Sequence, residues 1–162
     1  MTVRPATRED LPALCAVYAA ARRFMKQSGN PRQWGDHKPA LATIEADLDR
    51  GQLFAVVDGD VLAGCFTFIL GEDPTYRVIE GGSWLNDRPY GTIHRIASDG
   101  RRSGVFAAAL AFCEERANDL RIDTHVDNRV MRRLLSAHGF RHCGTIYLED
   151  GSPRLAFQKT VR

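Results

Sequence analysis

The sequence predicts an α/β protein of the α+β type, with strands and helices interleaved in an irregular order. Three observations carry that prediction. The 162 residues suit a single domain, 1–162, long enough to bury a core without disulfide or metal staples. Segments rich in β-branched and aromatic residues are interleaved with stretches of helical period. Their order, β-αα-βββ-α-β-α-ββ, is neither the regular alternation of a doubly wound fold nor a run of helices.

Each element has a local reason. Val3 to Ala6 is a short strand candidate. Thr7, with Asp10 three residues on, is placed to cap the following helix in a capping-box arrangement, and Leu11, Leu14, Tyr18, Ala21 and Met25 then recur at helical spacing. Residues 27–39 carry Gly29, Pro31, Gly35 and Pro39 and predict a loop. Leu41, Ile44 and Leu48 mark a second short helix stopped by Gly51. Leu53 to Val57 and Val61 to Leu70 flank Asp58-Gly59, a strong hairpin signal. Gly71 to Tyr90 is irregular, with Pro74, Gly81-Gly82 and Pro89 beside Tyr76, Trp84 and Tyr90. Gly91 to Ser98 reads as strand, Asp99 to Gly104 as a turn, and Val105 to about Ala117 as helix. Leu120 to Val126 is a strand and Asn128 to His138 a helix, with Met131, Leu134 and Leu135 on one face and Gly139 as its stop. Phe140 to Tyr147 and Arg154 to Lys159 close the chain as two strands around Glu149-Asp150-Gly151-Ser152.

Composition excludes several classes of function. The net charge of +2 is too small for a general nucleic-acid or membrane-surface binder. The longest apolar run, the nine residues Val105 to Cys113, falls well short of the roughly 20 that span a bilayer. The charged N-terminus lacks the apolar stretch of a signal peptide, so the expectation is a cytoplasmic protein with neither membrane nor nucleic-acid partners. Cys15, Cys65, Cys113 and Cys143 form no C-x-x-C pair and have no histidine at metal-ligand spacing. They read as small apolar core residues, with no metal expected.

The informative stretch is strand, glycine turn, helix. Gly91 to Ser98 runs into Arg101-Arg102-Ser103-Gly104 and then an apolar helix start. A helix N-terminus leaves backbone N–H groups unpaired and its dipole favours anions there. Ser103 and Gly104 are small enough for a phosphate to approach, and two arginines add positive charge. Arg101-Arg102-Ser103-Gly104-Val105-Phe106, followed by Asn128-Arg129-Val130-Met131, Leu134-Leu135 and Gly139-Phe140, resembles the signature of the GCN5-related N-acetyltransferases, the GNAT superfamily. That signature is Arg/Gln-x-x-Gly-x-Gly/Ala, then Asn-x-x-Ala, Leu-Tyr and Gly-Phe, and the resemblance spans Thr2 to Lys159. Phe106 stands where a small residue closes the signature, Met131 where the Ala stands, and Ser98 where a Pro is common. Leu135 holds the position of a tyrosine that protonates the leaving thiolate in many members.

The resemblance implies a mixed, splayed sheet with helices on both faces and acetyl-CoA (coenzyme A) as co-substrate in the gap between the fourth and fifth strands, often at a β-bulge. Backbone of Ile96, Ala97 and Ser98 would pair with the pantetheine arm, N–H groups from Arg101, Arg102, Ser103, Gly104, Val105 and Phe106 would hold the pyrophosphate, and Asn128 would touch the pantetheine arm. The implied reaction is acetyl transfer to an amine of a small molecule or peptide by direct attack. Asp123 is the first candidate base and His94 the second, with His125 and His138 behind them. Tyr147 and Ser98 are candidate acids, with water as a third source. On the acceptor side stand Trp34, Asp36, Trp84 and Tyr90, aromatics and a carboxylate that suit a cationic amine. A homodimer is compatible with all of this. Two other readings stay open: an acyl-CoA-binding module with little turnover, suggested by Phe106 and Leu135, and a nucleic-acid-binding domain using Arg129, Arg132 and Arg133.

Overall fold

A computed structural model describes residues 1–162. Seven strands form one sheet: β1 (Thr2–Pro5), β2 (Leu53–Asp58), β3 (Val61–Leu70), β4 (Gly91–Ser98), β5 (Asp119–Thr124), β6 (Arg141–Tyr147) and β7 (Pro153–Thr160), in the order β1-β2-β3-β4-β5-β7-β6. Every neighbouring pair is antiparallel except β4 and β5. Four helices cover the sheet: α1 (Leu11–Gln27), α2 (Leu41–Asp49), α3 (Val105–Glu114) and α4 (Arg129–Ala137).

Two apolar clusters account for the layers. Leu14, Val17, Tyr18 and Ala21 of α1 and Ile44 of α2 pack on Leu53, Cys65 and Ala97. Val105, Phe106, Ala109, Leu110 and Cys113 of α3 and Leu135 of α4 pack with Val56, Phe66, Ile93, Leu120 and Phe157 in the other. Strand β3 contributes to both clusters. It therefore reads as a nearly continuous apolar run instead of alternating with polar residues. A third, smaller cluster of Tyr76, Tyr90, Ile146 and Ala156 sits beside Trp84.

Several boundaries differ from the sequence expectation, each for a local reason. Thr7 caps a single 3₁₀ turn, Arg8–Asp10, which then continues into α1; its backbone N–H donates to Asp10 Oδ2 at 2.8 Å. The hairpin turn falls on Gly59 and Asp60, one residue later than Asp58-Gly59, because Asp58 still pairs with Val61 and Gly59 takes the left-handed conformation. Helix α3 stops at Glu114, where the N–H groups of Arg116 and Ala117 both turn back to the Cys113 carbonyl. Strand β5 ends at Thr124, not Val126, because His125 and Asp127 form the turn into α4: Asn128 N–H donates to the His125 carbonyl, and Asp127 N–H to the His125 ring.

Gly64 allows a close approach that no helical or strand signal records. A Cβ there would lie 2.4 Å from Val105 Cγ1 and 2.7 Å from the Ala97 carbonyl oxygen. Its absence lets the start of α3 settle directly on the sheet.

Candidate active site

Strands β4 and β5 are paired for two residues only, Gly91 with Leu120 and Thr92 with Arg121, and then part. The cause is a bulge in β4. Between the pairs His94–Thr67 and Ala97–Cys65, β4 holds two residues, Arg95 and Ile96, against the single Phe66 of β3. Arg95 takes a φ of 49°, the sole non-glycine residue with positive φ, a conformation that costs about 1–2 kcal/mol. Its neighbours hold it there. Asp47, buried on α2, receives Arg95 Nε at 2.8 Å and Nη2 at 2.9 Å, and Thr67 Oγ1 donates to the same carboxylate at 2.7 Å. Tyr18 Oη donates to the Arg95 carbonyl at 3.0 Å. Neither Asp47 nor Arg95 carries a sequence motif; one of three acids on a short helix, beside Glu45 and Asp49, gives no sign of its partner.

The parted strands open a cavity of about 660 Å³, whose walls include Trp34, His94, Ile96, Asp123, Asn128 and Arg154. Nearby, the chain presents the beginning of α3. Gly104 is its N-cap, at φ 89° with nothing within 4 Å of where a Cβ would stand. None of the backbone N–H groups from Arg102 to Ala107 donates within the chain. Unpaired donors at a helix N-terminus, with open space before them, fit the pyrophosphate of coenzyme A. The side chains behave differently from their backbone. Val105 and Phe106 point into the core, Phe106 edge-on to His138 with ring centroids 5.0 Å apart. The bulk of Phe106 is thus absorbed by packing, leaving its N–H at the helix start. Arg101 and Arg102 are tied to carboxylates of this chain, Asp99 at 2.5 Å and Asp58 at 2.9 Å. Ser103 is exposed, Ser98 Oγ accepts from Gly100 N–H, and Ala97 packs under α1. Leu135 is fully buried and brings no polar group to the cavity.

Side chains from several segments meet deeper in the gap. Asp123 Oδ2 accepts from Tyr76 Oη at 2.7 Å, and burial pushes its carboxyl above the ordinary range despite the nearby His94 and Arg154. His94 Nε2 lies 2.8 Å from Asp73 Oδ2. Burial would raise Asp73, but His94 and two bonds from Thr75 outweigh it and hold the carboxyl down at about 2. Both candidate bases therefore line the cavity, each held by a neighbour from the irregular 71–90 segment. Gln33 is a member that sequence reasoning missed. Its Oε1 accepts from Asn30, Asn128 and Thr124, which fastens the 28–39 loop across the parted strands. Asn128 also caps α4 by accepting from Met131 N–H at 3.0 Å.

The other candidates lie elsewhere. Of the acceptor-side residues, only Trp34 lines the cavity, packed edge-on to Tyr18. Asp36 is exposed and ion-paired with Lys26. Trp84 and Tyr90 sandwich Arg121, whose guanidinium lies 4.1 Å and 3.9 Å from their ring centres, so they back the wall and do not face the cavity. Tyr147 bonds Glu80 at the surface. His138 caps the end of α4, and His125, its pKa lowered by burial and by Arg154, sits in the turn after β5. Arg129, Arg132 and Arg133 line a shallow hollow with His142 on the outer face of α4. No cysteine lines the cavity; Cys65, on the side of β3 that faces α1, lies against Tyr18, where burial pushes its thiol up to about 12. No cluster of His, Cys, Asp and Glu is arranged to hold a metal, and no helix is long and apolar enough to cross a membrane.

A bulged strand parting from its parallel neighbour beside an unpaired helix N-terminus is the arrangement that the resemblance to the GNAT acetyltransferases implies. Residues 1–141 match the acetyltransferase (GNAT) domain family, and the chain belongs to that family. Among solved structures it is similar to a GNAT-family acetyltransferase from Streptococcus agalactiae, 30% identical over 98% of this chain and 94% of that one, with a TM-score of 0.89. It shares its fold with a ribosomal-protein-alanine N-acetyltransferase from Brucella melitensis (20% identical, 99% of each chain, TM-score 0.64). The same holds for a chain of the NatC complex bound to Gag peptide and CoA (14% identical, 100% of each chain, TM-score 0.57). No curated protein matches the chain.

Proposed function

We propose that this acetyltransferase moves an acetyl group from acetyl-CoA to the amine of a small molecule or peptide by direct attack, without a covalent enzyme intermediate. The observation that carries the reading is the joining of two features on one strand: β4 lines the cavity walled by Asp123 and His94, and the chain leaving β4 runs straight into the unpaired N–H groups at the start of α3. The solved CoA complex of a protein with the same fold supports the choice of donor.

Acetyl-CoA supplies the acetyl thioester, and the transfer forms a C–N bond as the C–S bond breaks, giving an N-acetyl product and free thiol. The chain's own groups do the rest. N–H groups from Arg102 to Phe106 hold the pyrophosphate, and the free edge of β4 at Ile96 to Ser98 pairs with the pantetheine arm. A main-chain N–H of the bulged strand faces the developing oxyanion. Asp123 takes the proton of the acceptor ammonium, directly or through one water, and its raised pKa makes it a stronger base than an exposed carboxylate. His94, held by Asp73, is the alternative base. Leu135 offers no hydroxyl, so the thiolate takes its proton from water. Thiol release from acetyl-CoA, measured over a panel of amines, tests this. Amine-dependent release is expected; tight CoA binding with no release over any amine would leave a binding module instead.

A further inference from the structure

Ion pairing in the cavity wall is uneven. Arg95 is answered by Asp47 and His94 by Asp73. Arg154, at the start of β7, is only 8% exposed and has no carboxylate partner. Nη1 donates to its neighbour's carbonyl, Pro153, and Nη2 reaches the Gln33 carbonyl at 3.5 Å; its Nε–H donates to nothing in the chain. Asp123 and Asp150 act on this guanidinium only from beyond salt-bridge distance, and a buried cation with no carboxylate in contact is costly and is seldom kept for stability. Arg121, a second buried arginine without a carboxylate, is engaged differently, stacked between Trp84 and Tyr90 and bonded to Asn86 and Gln158. Arg154 has no such stacking, and it borders the open cavity.

Register places the unanswered cation relative to the candidate base. Asp123 pairs with Ala156 across β5 and β7, so Arg154, two residues from Ala156, is a diagonal neighbour on the same face. Diagonal neighbours have backbones about 7–8 Å apart, and the two side chains form no direct salt bridge. Two opposite charges on one face of the cavity wall, not joined to each other, suit one small zwitterion. Its ammonium would meet Asp123 and its carboxylate the guanidinium fork, each through charge-assisted bonds of about 2.8 Å. Arginine's planar donors match a carboxylate in two parallel bonds. The other charged groups on the wall, Lys38 and Glu149, are exposed at its rim.

We infer that the acceptor is an amine bearing a nearby carboxylate, as a free amino acid does, and that Arg154 binds that carboxylate. This rests on the acetyl-transfer reading for its chemistry but not for its binding geometry. The test compares free amino acids with their amides and with the decarboxylated amines. Wild-type kcat/KM for the preferred acid should exceed that for its amide at least tenfold, mostly through KM. Arg154→Gln should collapse the ratio to within about twofold, and Arg154→Lys, which keeps the charge but not the fork, should leave an intermediate value. Circular dichroism and CoA affinity verify folding; should the Gln variant fail to fold, the wild-type comparison and the Lys variant decide. If wild type releases no thiol with any amine, the acetyl-transfer reading falls. Calorimetry with the N-acetyl amino acids and their amides, added to the CoA complex, then decides the Arg154 site. Acid binding above amide binding supports it. Amides, esters or peptide N-termini used or bound as well as the acids would overturn it.

Discussion

The two ends of the gap between β4 and β5 are built from different materials. At the α3 end the working groups are backbone N–H donors supplied by consecutive residues, and the arginines there spend their charge on Asp99 and Asp58. At the other end the working groups are side chains from segments far apart in the chain. Gln33 comes from the first loop, Asp73 and Tyr76 from the second, His94 from β4, Asp123 from β5 and Arg154 from β7. A backbone device tolerates many side chains so long as one φ angle is kept. A side-chain device can be retuned residue by residue without disturbing the frame. One end is therefore suited to a constant ligand and the other to a variable one.

Breaking the backbone end should have the largest effect on CoA binding. Gly104→Ala adds only the strain of a left-handed non-glycine residue, about 1–2 kcal/mol. Gly104→Glu adds the same strain and a carboxylate before the unpaired N–H groups. Calorimetry should show CoA affinity falling more than a hundredfold in the Glu variant and far less in the Ala variant. Equal losses would mean that strain, not an anion site, explains the position.

Next comes the side-chain end. Asp123→Asn should lower turnover roughly 10²–10⁴-fold while CoA affinity stays close to wild type. The low-pH limb of the rate profile, set above the ordinary carboxylate range by burial, should disappear with it. A carboxyl whose pKa rises on folding stabilises the fold below its unfolded pKa and loses that contribution as pH climbs through the folded value. The charged Asp123 therefore costs stability at neutral pH, and the Asn variant should melt at a higher temperature at pH 7 but not at pH 3. Near-full turnover in Asp123→Asn, together with loss in His94→Gln, would pass the role of base to His94.

Asp73 has the opposite sign. Its pKa of about 2 lies below the unfolded value near 3.9, so its contribution of about 2 kcal/mol is complete above that value and is lost as pH falls toward 2. Asp73→Asn should lower Tm by roughly 4–8 °C at pH 7, and the difference from wild type should shrink steadily below pH 4. A constant difference across that range would show that the loss is packing instead of charge.

The smallest effect is expected at the most basic part of the signature. Arg101 is more than half exposed and already ion-paired, so Arg101→Ala should change CoA affinity less than about fivefold. A much larger loss would mean that side-chain charge, and not backbone, dominates that end.

Much of this protein was legible in the linear chain. The element order, the hairpin at Gly59, the Thr7 capping box and the glycine before α3 all follow from interactions within a few residues, where spacing alone states the physics. Trp34, His94, Asp123 and Asn128, singled out from their sequence context, do line the cavity. Trp84, Tyr90 and Asp36 do not, because an aromatic in an irregular segment looks the same in sequence whether it faces a ligand or clamps a buried arginine.

What the sequence by itself determined, then, is the order of strands and helices and the donors at the start of α3. Only the tertiary structure decided that Asp47 would hold Arg95 in a left-handed bulge, that Gln33 would fasten a loop across the gap, and that Arg154 would be buried diagonal to Asp123 with no carboxylate in salt-bridge contact. The physical reason is range. Helix period, turn chemistry and capping act between near neighbours and leave a pattern in the chain, whereas these juxtapositions bring together residues 48, 95 and 31 positions apart (Arg95 and Asp47, Asn128 and Gln33, Arg154 and Asp123), and no local pattern encodes a neighbour that distant.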